Sequence, residues 1–480
     1  MIDWNGKQVV IIGAARQGTA LARYLIRHGA DVTISDQKRP DQLSDAITSL
    51  ADLPVRWKLH GSPLALLDRC DLLCPSGGVP LELPVIVEAQ RRSIPLSNDS
   101  QIFLEAAPCN VIGITGSAGK TTTTTLVGRI AEAATRHPAS RLTNHFVGGN
   151  IGYPLIDVVD EMIASDVAVM ELSSFQLEVM TRSPQVAAVT NITPNHLDRH
   201  GNMEAYAAAK ARILHFQQAD DVAILNREDP GSWALAEHVK GRLVSYGIHP
   251  LSTAPTERGP GLTPPPMPGQ GECGTYLRDG MLCWLDGMGE TPLVERSAIR
   301  LRGEHNLSNI LGACAIAYAA GMPVEAIREG IAGFTGAAHR LEFVRRWGGA
   351  EWYNDSIATA PERAMADIRS FSEPLVMLVG GRDKHLPWDD FAALARQRVD
   401  HLVLFGEMAG LVQQALKEAG LGNYTLDVCK DLQAAVQTAA GLVSPGDVVL
   451  FAPGGTSFDE FRDFEERGEA FRRFVNALPS

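Results

Sequence analysis

The segment TGSAGKTT at residues 115–122 carries the most specific chemistry in the chain. It follows the apolar run VIGIT and opens a stretch of helical character, so backbone N–H groups and the positive end of a helix would converge on an anion. Gly116, Ser117, Ala118, Gly119, Lys120, Thr121 and Thr122 would then cradle the phosphates of a nucleotide. Lys120 would neutralise β- and γ-phosphate charge, and the Thr121 hydroxyl would complete the shell of a Mg²⁺ ion. The loop is a shortened Gly-x-x-Gly-Lys-Thr, with Ile114 where the longer phosphate-loop pattern has its first glycine. Glu171 closes a second apolar run, DVAVM, where a carboxylate beside the loop would serve as a hard oxygen ligand. The alternatives are a structural glycine turn for the loop and a capping or ion-paired acid for Glu171.

These groups need strands and helices to carry them, and the apolar runs supply candidates. QVVII at 8–12 ends at Gly13 and is followed by helical spacing through Leu21, Tyr24 and Leu25; DVTIS then ends at Asp36. Strand, turn, helix, strand and acid is the layout of a nucleotide-binding Rossmann-like unit, although GAARQG has Ala15 where a dinucleotide fold has its second glycine. DLLCP at 71–75 leads into the turn SGGVP, and a boundary follows near residue 109. The Pro- and Gly-rich stretch between Ile248 and Gly271 reads as an excursion within the second domain, and a helical pattern runs from His305 to Ala319. A hinge is expected near Gly336 to His339. Beyond it LVMLVGG, HLVLFG and DVVLFAPGG each end in glycine, as parallel strands of an α/β domain do. The expected fold is α/β in three domains. They are a Rossmann-like N-terminal domain over 1–109, a central phosphate-loop ATPase-like domain with a mostly parallel sheet over 110–337, and a Rossmann-like C-terminal domain over 338–480.

Composition excludes several functional classes. A net charge of −13 without a long basic run argues against nucleic-acid binding. Neither a signal segment nor a membrane-spanning apolar run is visible, so a cytoplasmic protein is expected. The cysteines number 7 and lack paired C-x-x-C spacing. Cys70 and Cys74 have the separation of one helical turn, but no histidine or cysteine cluster accompanies them, and buried free thiols are the reading for the set.

The shortened loop resembles that of the Mur ligase family, whose members carry TGxxGKT. Further matches follow in order: GGNIG at 148–152, ELSSFQLE at 171–178, NITPNHLDRHG at 191–201, YAAAKAR at 206–212, GEHNLSN at 303–309, HRLE at 339–342, NDSIAT at 354–359, GGRDK at 380–384 and SFDEFRDFEERG at 457–468. The last segment is similar to that of the glutamate-adding branch, and the DNPR motif of the diaminopimelate-adding branch is absent. The resemblance implies an ATP- and Mg²⁺-dependent ligase that activates the carboxylate of UDP-N-acetylmuramoyl-L-alanine as an acyl phosphate and joins it to glutamate, in a monomer whose third domain closes onto ATP. It implies catalytic roles for Lys120, Glu171, His196 and Lys210, with Thr121, Glu171, His196 and a carbamylated Lys210 around the metal. Asn309, beside His305 and Asn306, would lie at the adenine side, and Arg340 and Asp355 would contact the nucleotide. Gln17, Asp36, Gly78 and Asn150 would face the UDP-linked substrate, with Asp36 suited to a ribose hydroxyl. Thr359, Lys384, Ser457 and Phe464 would surround glutamate.

One departure stands out: many members read NDSKAT, whereas Ile357 occupies the lysine position here. Whether Arg382 replaces that cation, and whether the amino acid is D- or L-glutamate, stay open at the level of sequence. So do two related readings, a folylpolyglutamate synthase-like ligase, which lacks a UDP-binding first domain, and a non-catalytic nucleotide-binding relative. A dehydrogenase would rest on the first unit alone.

Overall fold

The computed structural model describes residues 2–61, 63–251, 273–420, 422 and 424–479. Residues 252–271 of the Pro- and Gly-rich excursion therefore lie outside the described residues. The chain forms two compact units, one of residues 1–300 and 304–334 and the other of 301–303 and 335–480.

The first unit holds two sheets. Four parallel strands, β1 (Gln8–Ile12), β2 (Asp31–Asp36), β3 (Arg56–Leu59) and β4 (Leu72–Pro75), are ordered β3-β2-β1-β4. The second sheet contains β5 (Asn110–Thr115), β6 (His145–Gly149), β7 (Val167–Glu171), β8 (Val186–Val189), β9 (Val222–Asn226), β10 (Arg242–Tyr246), β11 (Gly274–Arg278), β12 (Met281–Asp286) and β13 (Gly289–Glu295). Their order is β13-β12-β11-β10-β9-β8-β5-β7-β6, parallel from β6 to β11 and antiparallel through β12 and β13. The second unit is built on β14 (Glu342–Trp347), β15 (Ala350–Asn354), β16 (Leu375–Gly380), β17 (His401–Phe405), β18 (Thr425–Val428) and β19 (Val448–Gly454), ordered β14-β15-β19-β16-β17-β18 with only β14 antiparallel.

The central strands are buried as expected for parallel strands covered on both faces: β5 is buried from Val111 to Thr115, and every residue of β16 is buried. Their mostly apolar content, rich in Val, Ile and Leu, thus both specifies the strands and builds the cores. The helix Lys120–Arg136 covers one face of the second sheet and packs against Glu304–Ala319, which is buried almost all round.

In a doubly wound sheet, ligands bind beyond the carboxyl ends of the strands where the order reverses. Here that point falls at β1, between β2 and β4; at β5, between β7 and β8; and at β19, between β15 and β16. The candidate residues read from the sequence cluster at the strand ends around these three points. Cys74 lies inside β4 and Cys70 just before it, so the two thiols are not stacked on a helical turn, and all seven cysteines are free. Among the described residues no helix is long and apolar enough to cross a membrane.

Candidate active site

At the second sheet's reversal point, β5 turns into the phosphate loop under tight steric control. Gly116 has φ +151°, and a Cβ there would lie 1.8 Å from Thr190 Oγ1; Gly119 has φ +79°, and a Cβ would lie 2.2 Å from Asn309 Oδ1. Only glycine fits either place. The loop after β8 holds the main chain in shape. Ser117 N donates to Asn191 O (2.9 Å), Ala118 N to Asn191 Oδ1 (2.8 Å), and Thr190 Oγ1 to Ala118 O (2.6 Å). Asn309, assigned from the sequence to the adenine side, is buried directly against this loop.

Four of the expected catalytic and metal-binding residues meet here. Lys120 Nζ donates to Gly116 O (2.8 Å), and so does Lys210 Nζ (2.8 Å). The Thr121 hydroxyl donates to Glu171 Oε2 and Asn150 Nδ2 to Oε1, each at 2.9 Å, so both oxygens of a carboxylate that is 1% exposed are held by neutral donors. Lys210 is likewise only 1% exposed. Burial, reinforced by the neighbouring Lys120 charge and opposed by Glu171, pulls its amine down to about 6. The Tyr206 ring lies 4.7 Å from Lys210 Nζ, and its hydroxyl meets Ser117 Oγ at 3.0 Å.

His196 lies in the loop after β8, at the start of the short helix Leu197–His200. It is exposed, with φ +53°, and its ring meets Phe175 edge-on at 5.2 Å. Among the described residues no three His, Cys, Asp or Glu side chains assemble as a metal cluster. The oxygen donors gathered at the loop are those of Glu171 and Thr121.

At the first sheet's reversal point, Asp36 Oδ2 accepts from Ala14 N (2.8 Å) and Oδ1 from Lys38 N (2.9 Å), so the acid shapes the turn after β1. It also lines a cavity of about 440 Å³ walled by Ile12, His60, Leu64 and Leu83. Ile12 ends β1, whereas His60, Leu64 and Leu83 lie beyond the strands in segments without a motif that could mark them in the sequence. Gln17 lies against Gly77, beside Gly78. Asn150, expected to face substrate, points its amide at Glu171 instead.

In the second unit the loops after β15, β16 and β19 carry the remaining candidates. Lys384 Nζ donates to Thr359 Oγ1 (3.1 Å), and Asp355 Oδ1 accepts from Leu341 N (2.7 Å), which follows Arg340. Ser457 is buried, and Phe464 begins the helix Phe464–Asn476, whose N-terminus Asp463 caps. Arg382 is held by both oxygens of Glu407 at 2.8 and 2.9 Å, so its charge is already paired.

Three residues were not singled out from the sequence. Arg467, 0% exposed, donates from Nη2 to Ser356 O (2.8 Å) and from Nε to Ser356 Oγ (3.1 Å), while Ser356 Oγ donates to Phe464 O (2.8 Å). Asp367 is buried beside Asp355, and both acids are pushed up by burial, Asp367 further by the charge of Asp355. Arg363 donates to Ile357 O (3.4 Å) and opposes both upward shifts. Arg467 was inside a quoted motif, but nothing in the sequence marks it as buried. Asp367 and Arg363 lie on an ordinary amphipathic helix, Pro361–Ile368.

The sequence matches the profiles of three consecutive families: the Mur ligase MurD-like N-terminal domain over residues 7–97, the Mur ligase middle domain over 114–257, and the Mur ligase glutamate ligase domain over 339–455. It is 38% identical over 472 residues to the UDP-N-acetylmuramoylalanine--D-glutamate ligase of Symbiobacterium thermophilum, covering 98% of both chains. A protein of the same name from Anaeromyxobacter dehalogenans is 38% identical over 483 residues, again with 98% of both chains covered. Among solved structures, UDP-N-acetylmuramate-alanine ligase from Thermotoga maritima superposes with a TM-score of 0.56 at 18% identity, over 98% of this chain and 100% of the other. MurF from Acinetobacter baumannii gives 0.55 at 20% identity, over 97% and 93%. Those two likenesses concern the fold.

Proposed function

This chain belongs to the Mur ligase family, and from that premise we propose that it is the ATP-dependent ligase that adds D-glutamate to UDP-N-acetylmuramoyl-L-alanine in peptidoglycan precursor synthesis. The observation that carries the reading is the convergence of Lys120, Thr121, Glu171 and Lys210 at the β5 reversal point.

The work divides along the chain as 1–109 for the UDP-linked substrate, 110–337 for ATP and 338–480 for the amino acid. The substrate's terminal carboxylate attacks the γ-phosphorus of ATP, ADP leaves, and an acyl phosphate forms. The glutamate amine then adds to the acyl carbon, loses a proton and expels inorganic phosphate, leaving the new amide. Both steps crowd negative charge, and a preorganised cation is the largest available aid. Lys120 supplies it beside the loop main chain. Asn309, Arg340 and Asp355 belong to the nucleotide end in this reading, Gln17, Asp36, Gly78 and Asn150 to the UDP-substrate end, and Thr359, Lys384, Ser457 and Phe464 to glutamate.

The donor set fits Mg²⁺, which takes few protein oxygens and keeps phosphate and water for the rest of its shell. Thr121 and Glu171 would hold it, His196 and a carbamylated Lys210 would complete the protein ligands, and the ion would offset phosphate charge. Lys210 suits carbamylation because an amine held near 6 is largely neutral at neutral pH and therefore nucleophilic toward carbon dioxide.

Phosphate release measured with ATP, UDP-N-acetylmuramoyl-L-alanine and either isomer of glutamate tests the reading. Release that needs all three and prefers D-glutamate is expected, with slower turnover in carbon-dioxide-depleted buffer. Silence with both isomers would end the ligase reading.

A further inference from the structure

The loops assigned to the UDP-linked substrate and those carrying the reacting groups belong to different sheets of the first unit, and two arginines cross between them. Arg16, at the start of the helix Arg16–Arg27, donates from Nη1 to Gly152 O and from Nη2 to Asn150 O at 3.3 Å. Asn150 is itself bonded twice to Glu171, from its N to Glu171 O and from Nδ2 to Oε1, both at 2.9 Å. A residue of the first sheet thus holds the turn that holds the Glu171 carboxylate.

Arg199 reaches in the opposite direction. Its Nη1 donates to Gly78 O at 3.3 Å, while its guanidinium lies 4.9 Å above the Phe175 ring. That ring meets His196 edge-on and stacks on His200, at 5.2 Å in each case, the second pair being nearly coplanar at 3°. His200 is anchored from below by Glu178 (3.1 Å) and Ser174 (3.0 Å). Arg199 therefore links the aromatic support of His196 to the first-sheet loop at Gly78. Both arginines end on main-chain carbonyls, which read the position of a loop and not the identity of its side chains. A guanidinium, with several donors in a rigid fork, suits such a link better than an amine.

We propose that Arg16 and Arg199 are positioning residues that make the reacting groups respond to the uridine diphosphate end of the substrate. The inference rests on the ligase reading above. Binding energy collected far from the reacting carboxylate raises turnover only when it is spent on arranging the groups that meet the transition state. When the diphosphate end settles on the loops around Gln17 and Gly78, Arg16 and Arg199 set where Glu171 and His196 stand.

The test compares UDP-N-acetylmuramoyl-L-alanine with N-acetylmuramoyl-L-alanine, which lacks the nucleotide, on the full-length enzyme and its Arg16→Met and Arg199→Met variants. Methionine keeps an apolar stem and removes the donors. Each variant is expected to lose about tenfold in kcat on the UDP-linked substrate, while kcat/KM on the UDP-free substrate moves less than twofold, so the preference for the nucleotide shrinks. Partial recovery by Arg199→Lys, which keeps charge and stem, would support the link. Equal losses on both substrates, the mark of a merely structural role, would overturn it, as would no loss on either. A wild-type enzyme that fails on the UDP-linked substrate would sink the ligase reading and this inference with it.

Discussion

Around the phosphate loop of the first unit, the charged groups are matched: Thr121 and Asn150 occupy both oxygens of Glu171, and Lys120 and Lys210 share the carbonyl of Gly116. The buried atoms left without a hydrogen-bond partner among the described residues of the helix Lys120–Arg136 are the neutral hydroxyls of Thr123 and Thr124. Around the loops after β15, β16 and β19 of the second unit, the balance is different. Arg467 is fully buried, yet its Nη1 has no hydrogen-bond partner among the described residues, and neither does Asp367 Oδ2. Buried polarity left unmatched costs free energy, so it persists where something else depends on it. The first site holds its carboxylate ready with neutral donors. The second keeps charge in reserve: burial lowers Arg467 to about 10, and Lys384 is lowered by burial and by the nearby Arg363 and Arg467 charges. Arg363, Lys384 and Arg467 are cations that suit an amino acid carrying two carboxylates.

Two substitutions would break or sharpen that contrast. Lys120→Ala removes the cation of the preorganised site and should lower turnover about a hundred- to a thousandfold, with no recovery at high glutamate. Phosphate release near the wild-type rate would take the loop lysine out of the chemistry. Arg467→Lys should act more mildly and in a different parameter. It loses the two-pronged hold on Ser356, at the root of the loop that carries Thr359, and should raise KM for glutamate about tenfold, or ~1.4 kcal/mol, while KM for ATP stays within twofold. If excess glutamate fails to restore that variant, the second unit is not the adaptable partner the comparison makes it.

The same contrast explains what could be read in advance. The phosphate loop is contiguous, and its strand–loop–helix context is written in local apolar periodicity, so Lys120, Thr121 and the strand end at Glu171 were legible as chemistry. The α/β plan with parallel sheets was equally legible, because apolar runs such as LVMLVG and VVLFAPG, ending in glycine, suit covered parallel strands. The second unit's site draws on residues 355–367, 382–384 and 457–467, which meet only because β19 inserts between β15 and β16. No local pattern announces that insertion. The burial of Arg467, whose helix follows β19, depends on that sheet order. The family resemblance supplied Thr359, Lys384, Ser457 and Phe464, but the Asn150 amide turns toward Glu171 through tertiary packing that no local pattern encodes.

The smallest expected effect probes the acid pair itself. Asp367 and Asp355 are buried together, and both carboxyls stand above their ordinary value because burial disfavours their charged forms. A folded state that binds a proton more tightly than the unfolded chain has its full stability below the ordinary carboxylate value near ~4 and loses it as pH rises toward the raised value. The wild-type second unit should therefore lose about 1.4 kcal/mol for each pH unit over which the pair keeps a proton that the unfolded chain has given up. Asp367→Asn leaves a neutral donor facing Asp355 and removes the part of that slope that Asp367 contributes, so the variant should gain on the wild type as pH climbs from 4 to 8. Arg340 and Arg363, which favour the ionised pair, limit the gain without reversing it. Amide hydrogen exchange in β15 and β19, corrected for intrinsic exchange, reads the difference within this unit. Parallel pH slopes in the two proteins would show that Asp367 holds no extra proton, and would leave the Arg467 Nη1 as the unmatched buried group of the second site.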